Sequence, residues 1–389
     1  MVYDAKRNYL QAIRKRYKAA IKAEKSKILD EFCAVCNYNR KYAIRVINKE
    51  DEPTKKKPGP KSVYQDEALL VPLKRIWFAA DQPCSLKLKA IIPIWVDSYE
   101  VYYSALESDI KEKLLTISKS TIDRVLKPVR AKSKRKGLSG TKPGSMLKNQ
   151  IPIQFTHWDV KKPGFLEADT VAHCGDTIAG QFAWSLTVTD VCTTWTEIRS
   201  LWNKKSSEVY KQITMIEAAL PFKTLGFDCD NGCEFMNHTL YDYFINRDEP
   251  VTFTRSRPYR KNDNAHVEQK NWTHVRQLFG YDRLDSNNII YWMNDLYRKE
   301  WSQYQNFFIP TVKLVEKERI GSKYRKKYDA PKTPYQRVLE SPDIDTATKE
   351  KLTATYKKLN PFELKLKIEE KLTEIFKHVK VTSNVRQRI

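Results

Sequence analysis

The sequence predicts a multi-domain chain with helix-turn-helix units first, then an α/β core on a mixed five-stranded sheet, then a mainly α tail. Three observations carry this. Apolar residues recur at helical spacing as far as about residue 130. The pattern turns to strand-like alternation near Ile151, and the elements beyond it run three strands, helix, strand, helix, strand, helix. The regions divide as 1–50 (first helix-turn-helix), 51–65 (basic Pro-rich linker), 66–130 (second helical unit), 131–150 (basic connector), 151–305 (α/β core) and 306–389 (C-terminal region with two helices).

The 389 residues are 41% hydrophobic and 12% aromatic, enough for packed cores. Lys and Arg total 70 against 47 Asp and Glu, a formal charge of +23. Such an excess calls for a polyanionic partner, nucleic acid first. It is uneven: residues 1–150 hold 33 basic and 16 acidic side chains, the remainder 37 and 31. Attraction to phosphate therefore concentrates in the N-terminal part. No apolar run reaches the ~18 residues of a membrane span, and the first 30 residues lack an apolar signal core. Seven cysteines, an odd number, argue against a disulfide framework. The chain reads as intracellular.

Within Lys25 to Lys49, Ile28, Leu29, Phe32 and Val35 form one apolar stripe and Ala43, Ile44 and Ile47 the next, with a break at Cys36–Asn39. Asn39 caps the second helix, which offers Arg40, Lys41 and Arg45 to DNA. Cys33 and Cys36 have zinc-like spacing, but no His precedes His157, and packing is the simpler reading. Three prolines and a glycine make Asp51–Lys61 a linker, and its Lys55, Lys56 and Lys57 suit a minor groove. A second helix-turn-helix candidate ends with Ser118 as N-cap and Ile122, Val125 and Leu126 as apolar face, with Ser120, Thr121 and Arg124 as candidate DNA contacts. Arg130–Lys148 has seven basic residues and no acidic one, as a phosphate-hugging connector requires.

The core elements are strands at Phe165–Ala172, Gln181–Asp190 and Thr194–Leu201, a helix at Ser206–Leu220, a strand at Lys223–Cys229, a helix at Glu234–Asn246, a strand at Val251–Thr254 and a helix from Asn264 to Phe279. That is the order of an RNase H-like fold. Pro310–Arg337 is basic and aperiodic; Thr346–Val379 reads as two helices divided at Asn360-Pro361.

Asp169 lies in the first strand, Asp230 closes the fourth, and Glu268 sits early in the last core helix. Three carboxylates converging at one sheet edge repel unless a cation neutralises them. Hard oxygen ligands suit two Mg²⁺ (or Mn²⁺) ions, which can serve the attacking and leaving oxygens of phosphoryl transfer. The Asn231-Gly232 turn projects Asp230 from the sheet, and Glu268 shares a helical stripe with Trp272 and Val275. Arg257, Arg260 and Lys261 before that helix, and Lys270 within it, are candidate phosphate contacts.

In these residues and their order the core resembles the retroviral-integrase superfamily of DDE transposases, closest in look to bacterial insertion-sequence transposases with an integrase-type core. Phe165–Gly175, Phe227–Phe235 and Arg257–Asn271 carry the resemblance, with Ile28–Phe32, Arg40–Arg45 and Tyr328–Arg337 outside the core. The resemblance implies that Asp169, Asp230 and Glu268 are the catalytic metal ligands. It also implies water as nucleophile for nicking, a DNA 3′-hydroxyl for strand transfer, and a homodimer or higher multimer holding double-stranded terminal inverted repeats and target DNA. Cytoplasmic location, on the nucleoid when bound, follows from it. The His-His-Cys-Cys zinc module of retroviral integrases has no counterpart in this chain.

Asp228, two residues before Asp230 and on the same strand face, is the rival second ligand. His173 either approaches the metals or completes a hydrogen-bond network, Cys229 and Cys233 read as packing residues, and Asn264 is a candidate support for the site. Two other functions keep the same features: an RNase H-like nuclease that stops at hydrolysis, and a domesticated sequence-specific DNA-binding protein. An intact triad counts against the latter.

Overall fold

A computed structural model describes residues 3–49, 64, 66–132, 162–229, 234–235, 237–255 and 265–386. The chain divides into two compact units, Met1–Ser62 and Val63–Ile389. No helix among the described residues is long and apolar enough to cross a membrane.

The first unit holds α1 (Tyr3–Ala19), α2 (Lys22–Cys36) and α3 (Arg40–Asn48) around Ile13, Ile28, Leu29, Phe32, Cys36, Ala43 and Ile47. The buried stripe of α2 thus runs through Cys36 and leaves Val35 exposed, while α3 buries Ala43 and Ile47 but not Ile44. Cys36 is a core residue. Left-handed Asn37 ends α2, and the Asn39 side chain accepts from the backbone N–H of Lys41 and of Tyr42, forming the expected cap. Helix α1 has too basic a sequence for its periodicity to stand out, and it is held by Ile13 in the core.

The second unit opens with α4 (Glu67–Ala79), α5 (Ser85–Tyr102), α6 (Ser108–Thr116) and α7 (Lys119–Lys132). Ser118 Oγ accepts from Thr121 N at 3.1 Å, so the cap of α7 forms where expected. The sheet contains β1 (Phe165–Ala172), β2 (Trp184–Asp190) and β3 (Thr196–Leu201), followed after α8 (Ser206–Glu217) by β4 (Gly226–Cys229) and after α9 (His238–Ile245) by β5 (Thr252–Arg255). Its order is β3-β2-β1-β4-β5, with β1, β2 and β3 antiparallel and β4 and β5 parallel to β1. This mixed five-stranded sheet follows the predicted element order.

One sheet face packs through Leu166, Ala168, Leu186, Val188 and Phe227 onto Val209 and Ile213 of α8 and Leu240 and Phe244 of α9. The other face receives α10 (Ala265–Lys270), a π-helical turn (Asn271–Arg276), α11 (Gln277–Phe279), α12 (Ile289–Leu296), a second π turn (Tyr297–Trp301) and α13 (Ser302–Phe308). One hydrophobic cluster joins this face, through Val171 and Ile198, to Trp95 of α5, Leu126 of α7 and Phe308 of α13. Regions read from sequence as consecutive domains therefore share a core: each amphipathic helix buries its stripe against the same layer.

After α13 come the hairpin strands β6 (Leu314–Ile320) and β7 (Lys323–Tyr328), then α14 (Pro334–Glu340), α15 (Thr346–Tyr356) and α16 (Pro361–Arg386). Asn360 Oδ1 accepts from Phe362 N at 3.0 Å, so the helix break falls at Asn360-Pro361 as predicted. Among its described residues the C-terminal region holds a hairpin and α14 in addition to the two predicted helices, α15 and α16. The hairpin escaped prediction because nearly all its residues are exposed, so neither strand has a buried face to alternate against.

Sheet edges must satisfy outward backbone groups. On β3 two helical asparagines do this. Asn306 on α13, fully buried, accepts from Thr196 N and donates to Thr196 O, both at 3.0 Å. Asn294 on α12 does the same for Ser200, at 2.8 and 3.0 Å. Truncating Asn306 to Ala leaves both Thr196 groups buried and unmet, for an expected loss of roughly 2–4 kcal/mol. Denaturant unfolding checks it, and unchanged stability refutes the edge-sealing role.

Candidate active site

The alternation of β1 sends Leu166 and Ala168 into the α8/α9 core and Glu167, Asp169 and Val171 to the face under α10. Half-buried Asp169 accepts from Thr170 N through Oδ1 and from Asn271 Nδ2 through Oδ2, both at 2.7 Å. Asn271 opens the π turn three residues after Glu268, so the two lie on one side of the helix. Glu268 itself is exposed. The structure thus ties the strand carboxylate to the turn that follows Glu268. Asp230 lies outside the described residues; β4 ends at Cys229, opposite Ala168 of β1.

Beneath them is a carboxyl group that sequence reasoning missed. Glu167 is 2% exposed, and its Oε2 accepts from the backbone N–H of His266 and Val267, at 3.1 and 3.2 Å, at the start of α10. A carboxyl oxygen there satisfies N–H groups that the helix cannot bond internally. Burial first, then the neighbouring charges of Asp228 and Glu268, push the Glu167 carboxyl up to about 8. The signal in the sequence was available: Glu167 shares its strand face with Asp169. Asp228, the rival ligand, is the register partner of Glu167, is buried, and accepts from Thr254 Oγ1 at 2.6 Å.

The π turn also shifts the helix's phase. An uninterrupted α-helix puts Glu268, Trp272 and Val275 on one stripe, but Val275 is fully buried while Trp272 is 47% exposed. The extra residue in the turn rotates the remainder of the helix about its axis. The inner side of α10 carries Val267 and Lys270 instead. Burial, with the Lys87 and Arg337 cations adding to it, lowers the Lys270 ammonium to about 7. A side chain 5% exposed is not on a DNA-facing surface, which corrects the expectation for Lys270.

His173 is fully buried; its Nε2 meets Ser185 Oγ, and Ser185 Oγ meets Tyr297 OH, each at 2.8 Å. Burial pushes its imidazole down to about 3. The ring belongs to this network rather than to the carboxylates.

Of the expected DNA contacts, Arg40, Lys41 and Arg45 are exposed along α3, with Arg40 paired to Asp30. Ser120 and Arg124 are exposed on α7, whereas Thr121 is 8% exposed and turned inward, bonded to Ser118 and Arg124. Lys55, Lys56, Lys57, Arg257, Arg260, Lys261 and Asn264 lie outside the described residues.

No protein-family model matches the chain. It is 36% identical over 336 residues to the uncharacterized protein y4rM of Sinorhizobium fredii (strain NBRC 101917 / NGR234), spanning 84% of this chain and 93% of that protein. The chain belongs to the y4rM family. Solved structures similar to it include the HTLV-2 integrase catalytic core domain in complex with magnesium, at 12% identity and a TM-score of 0.28 over 38% of this chain and 90% of that one. The BIV integrase catalytic core domain is similar at 14% identity and a TM-score of 0.27, over 46% and 95%.

Proposed function

We propose that this protein is a DDE transposase that binds the ends of its mobile element and catalyses divalent-cation-dependent DNA strand cleavage and strand transfer. The observation that carries the reading is the bond from Asn271 Nδ2 to Asp169 Oδ2, which ties the strand carboxylate to the turn after Glu268. A half-buried and an exposed carboxylate on rigid elements are hard oxygen donors of the kind Mg²⁺ or Mn²⁺ takes, with Asp230 as the third. Two such ions, when bound, supply the positive charge that offsets developing charge on the attacking and leaving oxygens.

The chain's own contribution is position. Glu167 anchors the start of α10 to β1, Asn271 orients Asp169, and exposed Glu268 faces solvent where a phosphodiester can enter. The exposed cations of α3 and α7 are the surfaces assigned to the element's ends.

Labelled duplexes made from the DNA flanking the gene, incubated with protein and Mg²⁺ or Mn²⁺, test the reading. Nicked ends and joined strands are expected. Nicked ends alone make the protein a nuclease, and the absence of any divalent-dependent reaction overturns the proposal. In the same assay Asn271→Ala should slow cleavage by about 10- to 100-fold, the usual effect of losing a group that orients a metal ligand. An unchanged rate removes Asn271 from the site.

A further inference from the structure

The β6–β7 hairpin is exposed over nearly its whole length, although two strands alone are marginal in water and normally bury a face. Its register sorts the charges. Glu316 lies opposite Lys327, Glu318 opposite Arg325 and Ile320 opposite Lys323, so one face mixes signs. On the other, Leu314 lies opposite Tyr328, Arg319 opposite Tyr324, and Lys317 opposite Lys326. That face holds three cations, two tyrosines and no carboxylate of the hairpin. Like charges directly opposed across a ladder cost stability, and Lys317 also stands 4.4 Å from the centre of the Tyr324 ring. An arrangement that costs the isolated hairpin stability is favourable against a polyanion.

We infer that the face formed by Lys317, Arg319, Tyr324 and Lys326 lies on the phosphate backbone of duplex DNA as a sequence-independent clamp, separate from the helical units that read the element's ends. A two-stranded ribbon has the dimensions of the major groove, and closely spaced cations on one side match a row of phosphates. The tyrosines add hydroxyl donors for phosphate oxygens. The inference rests on the DNA-processing reading above and gives a role to a part of the chain that reading leaves unused.

The test uses the full-length protein and a fluorescent duplex of arbitrary sequence, with affinity measured against salt. One variant carries K317Q, R319Q and K326Q; a control carries K323Q, R325Q and K327Q, which removes the same charge from the mixed face. The first should lose about tenfold or more in affinity and show a salt slope shallower by roughly 2 to 3, the release of about three counterions. The control should change both far less. Because the first variant relieves like-charge repulsion, its melting temperature should hold or rise, so lost binding is not lost folding. Equal losses in the two variants, or no loss in the first, overturn the clamp while leaving the transposase reading intact. If the unaltered protein binds no duplex at any salt, both fall. Loss confined to phosphatidylserine vesicles, with duplex binding intact, assigns the face to a membrane and also overturns the inference.

Discussion

Replacing Asp169 by Asn should reduce divalent-dependent strand cleavage by about a thousandfold or more, about 4 kcal/mol of transition-state stabilisation, while the protein still folds and binds DNA. The substitution is nearly isosteric. An asparagine oxygen can still accept from Thr170 N or Asn271 Nδ2, so the strand and the π turn keep their contact. What disappears is a negative charge at the proposed metal site, which no neutral amide replaces. Glu268→Gln should have the same effect with even less influence on stability, because that side chain is exposed. Asp230→Asn completes the set. Single-turnover cleavage, thermal melting and duplex binding measured on each variant separate chemistry from folding. Cleavage retained by any one of them removes that residue from the triad.

The second large effect concerns Glu167 and is read in stability rather than activity. Its carboxyl is raised from the ordinary 4.5 to about 8, by burial first and by Asp228 and Glu268 after that. In the folded chain the group therefore keeps its proton through a range in which the unfolded chain loses it. The folded state binds more protons there, so raising the pH favours unfolding. The metal-free protein should lose stability as pH rises from 4.5 to about 8, by up to about 1.4 kcal/mol per unit. Glu167→Gln keeps an oxygen for the His266 and Val267 N–H groups but cannot ionise. Its profile should be flatter in that window, and at the upper end it should be the more stable protein. Urea unfolding in EDTA at several pH values decides this. Parallel profiles for the two proteins would show that Glu167 does not carry the proton.

Much of the core was legible because strand and helix periods are local properties of a chain. The period-two alternation places the first strand at Phe165–Ala172, where the structure has it. Ser118, Asn39 and Asn360 were readable as caps because a cap is a relation between residues two or three apart. The hairpin was not legible: an exposed ribbon leaves no hydrophobic trace. Nor was the π turn, since nothing within Asn271–Arg276 announces the extra residue that parts buried Val275 from the exposed stripe of Glu268 and Trp272. Nothing in the sequence marks Asn306, because its importance comes from a strand more than a hundred residues earlier.

The sequence by itself determined most of the strands and helices of the α/β core, where several of them start and stop, and that Asp169 sits on a strand and Glu268 on a helix. Only the tertiary structure decided what surrounds each charge. It sank Glu167 beneath α10 while leaving Asp169 half-buried two residues away, drew Lys270 and Thr121 inward, and gathered three predicted regions around one core. Periodicity is set by neighbours along the chain. Burial and pairing are set by whatever the fold brings from elsewhere, and for a charged side chain they decide both its protonation and its reach.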